Sequence, residues 1–111
     1  MNIDYLEKDK LLKIDINEEI DHHKADFLRR NIDYEIQRRI PKEVILNFSG
    51  VSFMDSAGIG MVIGRYRVAS MLGAKLEMTN VSDSVKKVFE MTGVLKIVPI
   101  IDEKREVSIN D

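Results

Sequence analysis

Residues 53 to 60, FMDSAGIG, place an acid and a hydroxyl side by side directly after a hydrophobic run. A serine in this position could cap a helix, act as a nucleophile or carry a phosphate. Gly58, Gly60 and Gly64 follow in a segment with helical periodicity, where each interior glycine costs about 1 kcal/mol relative to alanine. Either close packing or access for a partner must offset this cost. The stretch is therefore the first candidate for a functional site.

Two kinds of chemistry fit this stretch poorly. The spacing G-x-G-x-x-x-G differs from the dinucleotide fingerprint, and no Lys-Ser or Lys-Thr pair follows as in a P-loop. Ser56 could be a nucleophile with His22 or His23 as base and Asp21 or Asp55 as the orienting acid. However, the G-x-S-x-G elbow is absent, and a serine that caps a helix has its hydroxyl engaged by the backbone. The residues predict no enzyme.

The adjacent histidines His22 and His23 follow Asp21, which suggests a metal site at first sight. Neighbouring side chains on a helix point about 100° apart, so only one of the two histidines could face a shared ion. The chain also has no cysteine. We therefore expect neither a metal nor another cofactor, and the pattern is typical of a polar loop that enters a helix.

Composition narrows the class of protein. The 111 residues predict one domain, residues 1–111, and the net charge of −2 offers no basic surface for nucleic acid. The N-terminal segment lacks the basic and apolar regions of a signal peptide, and no apolar run approaches the roughly 20 residues that span a bilayer. We expect a cytoplasmic protein with neither a nucleic-acid nor a membrane partner.

The first half of the chain alternates between strand and helix patterns. Residues 11–16 alternate apolar and polar side chains, and residues 2–5 do so more weakly, which predicts a hairpin. After Asp21, which is a candidate N-cap, apolar residues recur every three or four positions until Pro41 ends the helix. Residues 43–48 then form a nearly continuous apolar run, typical of a central strand.

The second half repeats the alternation. A helix is predicted from residue 56 to 72, with Asp55 or Ser56 as its cap, and ends at Gly73; residues 74–80 alternate as a strand. A short helix begins at Ser82 and ends at Gly93. The segment LKIVPII, residues 95–101, predicts a last strand at a sheet edge, because Pro99 cannot donate to a ladder. Residues 102–111 could form a short helix or fray.

This order predicts an α/β fold. An N-terminal β-hairpin is followed by β-α-β units, which implies a mixed, mainly parallel sheet of four to five strands. The alternation within the strands predicts that the helices cover mostly one face, while the other face is partly exposed to water.

Three segments of the chain resemble a known family. FMDSAGIGMVIGRYR, with EEIDHHKADFLRR before it and VSDSVKKVFEMTGVLKIV after it, is similar to the anti-sigma factor antagonists of spore-forming bacteria. The resemblance covers nearly the whole chain and is greatest to the antagonists of the anti-sigma-F factor, which act at the start of sporulation. It implies the STAS fold, which agrees with the predicted order of elements.

The resemblance implies a phosphorylation switch. In the family, the serine after the aspartate is the target of a serine kinase that is also the anti-sigma factor, and here this serine is Ser56. Unphosphorylated antagonist binds the kinase and releases the sigma factor, phosphorylated antagonist dissociates, and a PP2C-type serine phosphatase resets the cycle. Many members have a second serine where this chain has Ala57. The residues expected to bind the partner are Asp21, His22, His23, Asp55, Ser56, Ala57, Gly58 and Gly60.

A second class of function remains open. A STAS domain could instead be a passive scaffold or hold a small ligand. Phosphorylation of Ser56 by a partner kinase would distinguish the switch from the scaffold.

Overall fold

A computed structural model describes residues 1–101 of the chain. It contains four strands, three helices and one 3-10 helix, which in chain order are β1 (Asn2–Leu6), β2 (Leu11–Asp15), α1 (His22–Arg39), β3 (Glu43–Asn47), α2 (Ser56–Met71), β4 (Lys75–Thr79), α3 (Asp83–Glu90) and the 3-10 helix Val94–Lys96. The predictions for the tail, residues 102–111, lie outside the described residues.

The four strands form one mixed sheet in the order β1-β2-β3-β4. The hairpin strands β1 and β2 are antiparallel, whereas β2, β3 and β4 run parallel, and the chain reaches β3 through α1 and β4 through α2. The predicted α/β architecture, with an N-terminal hairpin followed by β-α-β units, is confirmed.

The three helices share one core with a single face of the sheet. In the register, Leu12, Val44 and Leu76 form one row of this face, and Ile14, Leu46 and Met78 form the next. All six belong to the same buried cluster as the inward residues of α1, α2 and α3. The prediction that the helices cover mostly one face is therefore confirmed.

The opposite face is less exposed than the alternation predicts. Ile45 is fully buried and Glu77 is 6% exposed, although Lys75 at the edge is exposed. In the register Ile45 lies between Lys13 and Glu77, whose long aliphatic stems can cover it from both sides.

Side chains and backbone turns fix the ends of the helices. The N-caps of α1, α2 and α3 are Asp21, Asp55 and Ser82. The predicted caps of α1 and α3 are confirmed. For α2, where the sequence allows either Asp55 or Ser56, the cap is Asp55. Gly73 follows α2 with a φ of 80°, and Ala74 N–H donates to the carbonyl of Ala69 at 2.8 Å. This is the glycine C-terminal motif that the sequence predicts.

The predicted last strand is wrong in most of its length. Residues 94–96 form a 3-10 helix, with Val94 and Val98 buried in the core. Within residues 95–101, only Ile100 bridges to β4, through hydrogen bonds from Met78 N–H to the Pro99 carbonyl and from Ile101 N–H to the Met78 carbonyl. Proline has no N–H, so a continuous ladder cannot form here.

Candidate phosphorylation and partner-binding site

The amino ends of α1 and α2 are joined by a short pairing of the segments that precede them. Ile20 forms a parallel bridge with Met54. Ile20 N–H donates to the Phe53 carbonyl at 3.0 Å, and Asp55 N–H donates to the Ile20 carbonyl at 3.1 Å. Both Ile20 and Met54 are buried, which anchors the pair in the core. The capping residues of two helices are thereby held next to each other beyond the carboxyl ends of the central strands β2 and β3.

Ser56 is the first residue of α2 and is exposed. Asp55, not Ser56, is the cap: its carboxylate accepts a hydrogen bond from Ala57 N–H at 2.8 Å. Within residues 1–101, no hydrogen bond engages the Ser56 hydroxyl. The objection that this serine is occupied as a cap is therefore wrong, and its hydroxyl is available to another molecule.

Asp21 presents a carboxylate at the start of α1. It accepts a hydrogen bond from Lys24 N–H at 2.9 Å, and this bond lowers the pKa of Asp21 below its usual value. The carboxylate is therefore ionised at neutral pH. It is also exposed, so it can meet a cation of a partner.

The histidines that follow are exposed too. The rings of His22 and His23 lie edge to face, with their centroids 5.6 Å apart. Among residues 1–101, no group of three or more histidines and acids is arranged to hold a metal ion.

The three glycines of α2 have different surroundings. A Cβ at Gly58 would lie 2.3 Å from Cγ and Sδ of Met54, so this glycine allows the helix to pack closely over a buried side chain. At Gly60 and Gly64, no described atom outside the local helix backbone lies within 4 Å of the position that a Cβ would take. Close packing offsets the cost of glycine at Gly58, but it does not explain the other two.

Gly60 and Gly64 line a groove between α1 and α2. Its volume is about 340 Å³, and its lining also includes His22, Arg29, Ala57 and Arg65. Because Ala57 immediately follows Ser56, the groove begins beside the exposed serine. Small residues on α2 keep this space open.

A buried ion pair between the two helices escaped the sequence analysis. Arg65 on α2 is 5% exposed, and its Nε lies 2.6 Å from Oδ1 of Asp33 on α1. Burial lowers the pKa of Arg65, while the charge of Asp33 opposes this shift. The four-residue spacing of Met61, Arg65 and Ala69 indicates an inward position, which was the available signal. The pair connects the two helices that border the groove.

The structure brings the predicted site residues together, with one exception. Asp21, His22 and His23 lie at the start of α1, next to Asp55, Ser56 and Ala57 at the start of α2, and Gly60 is exposed one turn further along. Gly58 is buried, so it supports the site from below and offers no surface to a partner.

The sequence of the chain matches a known domain family and curated proteins of that family. The STAS domain profile matches residues 2–107. The chain belongs to the STAS domain family. An anti-sigma F factor antagonist of Paenibacillus polymyxa is 34% identical over 94 residues, which cover 85% of this chain and 80% of that protein.

Solved structures show the same fold. Unphosphorylated SpoIIAA, an anti-sigma factor antagonist, superposes with a TM-score of 0.80 at 28% identity, over 96% of this chain and 92% of that one. The phosphorylated form of SpoIIAA, a Bacillus cell fate determinant, superposes with a TM-score of 0.72 at 26% identity, over 99% and 98% of the two chains. The predicted STAS fold is confirmed.

Within residues 1–101 of this STAS domain, no helix combines the length and apolar character needed to cross a membrane.

Proposed function

We propose that this STAS domain, residues 1–111, is an anti-sigma factor antagonist controlled by phosphorylation of Ser56. In the unphosphorylated form it binds an anti-sigma factor that is also a serine kinase, and the sporulation sigma factor is released in the cytoplasm. Phosphorylation ends the binding, and a PP2C-type serine phosphatase restores it. The chain itself is a substrate in this cycle and catalyses no step.

One observation supports this function above the others. Ser56 is exposed at the start of α2, its hydroxyl is unengaged within residues 1–101, and the Asp21 segment is held beside it by backbone hydrogen bonds. A kinase needs access to the hydroxyl, and a partner that recognises the site needs fixed groups around it. The names of the relatives support an anti-sigma factor as the partner.

The physical basis of the switch is charge. A phosphoserine carries about −1.5 to −2 charges at neutral pH. At the start of α2 it is favoured by the helix dipole and opposed by the adjacent Asp55 carboxylate, so its effects within the domain partly cancel. We infer that the phosphate acts on the partner, by repulsion and bulk where Ser56 meets the kinase and the phosphates of its nucleotide.

The test is a kinase assay with the anti-sigma factor and ATP, in which the modified residue is located by mass spectrometry. The wild type should gain one phosphate on Ser56, and Ser56→Ala should gain none. Because Asp55 supplies the cap, Ser56→Ala should fold and melt like the wild type. A wild type that remains unmodified would contradict the proposal and favour a passive scaffold. Phosphate on Ser82 or Ser84 in the variant would contradict the assignment of Ser56.

A further inference from the structure

Phe53 is a large apolar side chain in an unusual place. It is 52% exposed, although the neighbouring Met54 is 3% exposed and fixed in the core. Its carbonyl accepts a hydrogen bond from Ile20 N–H, and Asp55 N–H donates to the Ile20 carbonyl. These two bonds fix the backbone on either side of Met54. Single exposed apolar residues are common, but this one lies three residues before Ser56 on a segment hydrogen-bonded to the segment that precedes α1.

The segment paired with the Phe53 segment carries carboxylates on either side of Ile20. Glu19 is exposed and accepts a hydrogen bond from the Ser52 hydroxyl at 3.3 Å, which places it beside the segment that carries Phe53. Asp21 follows two residues later and is ionised at neutral pH. The nearby cation Lys24 is ion-paired with Glu18. The surface next to Ser56 therefore combines an apolar ring with negative charge.

Such a combination is typical of the centre of a protein interface. Aromatic residues are enriched at interface cores, where one side chain in a pocket often carries much of the binding energy, while charges at the rim steer the approach. We propose that Phe53 is the aromatic anchor of the docking surface, inserted into an apolar pocket of the anti-sigma factor that is bordered by basic side chains. This inference rests on the proposed function, and it adds the residue that supplies affinity rather than the one that is modified.

The experiment is calorimetric titration of the purified anti-sigma factor, saturated with ADP, into unphosphorylated protein. Phe53→Ala should raise the Kd about 30-fold or more, the usual effect of truncating an interface hot spot. Phe53→Leu should lose less, since it still fills an apolar pocket. Tyr34→Ala is the matched control, because Tyr34 is an aromatic residue of α1, 61% exposed, beyond the paired segments.

Thermal melting accompanies each titration. Phe53 is half exposed, so its variants should melt within a few degrees of the wild type. If Phe53→Ala melts early, Phe53→Gln, which keeps a long side chain but removes the apolar ring, replaces it in the titration. Rising salt should weaken binding of the wild type and the Phe53 variants alike, because the carboxylates remain.

The outcomes separate the two proposals. If the wild type does not bind the anti-sigma factor, the proposed function fails. If the wild type binds and Phe53→Ala binds equally well, or loses no more than Tyr34→Ala, the anchor is overturned while the proposed function stands. A selective loss in Phe53→Ala, partly restored in Phe53→Leu, supports the anchor.

Discussion

Alanine substitution at the three glycines of α2 should give opposite effects on stability. At Gly60 and Gly64 the space for a methyl group is open, so alanine removes only the conformational cost of glycine in a helix. Each of these two variants should gain about 0.5 to 1 kcal/mol in free energy of unfolding. For a domain of this size the melting temperature should rise by about 2 to 8 °C.

Gly58→Ala should behave differently. Its new Cβ would overlap Met54, whose side chain is packed in the core and must shift. Overpacking of this kind costs about 1 to 3 kcal/mol, against a helical gain of about 1 kcal/mol. The net change is between roughly zero and a loss of 2 kcal/mol, which leaves this variant about 1 to 3 kcal/mol less stable than Gly64→Ala.

Urea denaturation measures all three variants. Equal m-values would show that the midpoints report stability and not a change in the unfolded state. The reasoning is refuted if Gly58→Ala is as stable as Gly64→Ala, or if Gly60→Ala loses stability.

A larger side chain at Gly60 tests the role of the groove in binding. Gly60→Leu should fold well yet bind the anti-sigma factor more weakly, because the side chain occupies the groove. Ser70→Leu, at an exposed position near the end of α2, is its control.

Four further predictions concern charge. Asp21→Asn keeps a good N-cap but removes the negative charge. It should therefore weaken binding of the anti-sigma factor, measured by titration. The control is Asp4→Asn, at an exposed position on the edge strand β1, which should weaken binding less. Because the pKa of Asp21 is lowered on folding, its carboxylate stabilises the fold above about pH 4 and loses this effect as pH falls; Asp21→Asn should flatten acid unfolding in that range. Asp33→Ala leaves the buried Arg65 unpaired and should cost about 3 kcal/mol or more in urea unfolding, whereas a change below 1 kcal/mol would show that water already solvates Arg65. Phosphorylation of Ser56 should shift amide resonances only near the starts of α1 and α2, and shifts throughout the sheet would show that phosphate refolds the domain.

The sequence predicts most of this fold because local and global signals agree. The strand patterns of residues 11–16 and 43–48, the caps Asp21 and Ser82, and the left-handed Gly73 each point to the element that forms. The failure at residues 95–101 has a physical cause. Apolar runs that contain proline fit both a strand and an irregular segment, and burial of Val94 and Val98 decides between them.

The sequence singles out the residues of the candidate site but not the contacts between them. Asp21 and Ser56 stand out by type, yet only the bridge between Ile20 and Met54 shows that they are neighbours. Long-range pairing of this kind leaves no periodic signal in a single sequence. Likewise, sequence cannot distinguish a glycine that packs against Met54 from one that keeps a groove open.

The central claim is that one phosphate on Ser56 abolishes binding of the anti-sigma factor. The direct measurement is titration of the same anti-sigma factor preparation with unmodified protein and with protein shown by intact mass and fragment mapping to carry one phosphate, on Ser56. The account predicts that the unmodified protein binds, that the phosphorylated protein does not, and that treatment with a PP2C-type phosphatase restores the binding. Equal affinity of the two forms would contradict it.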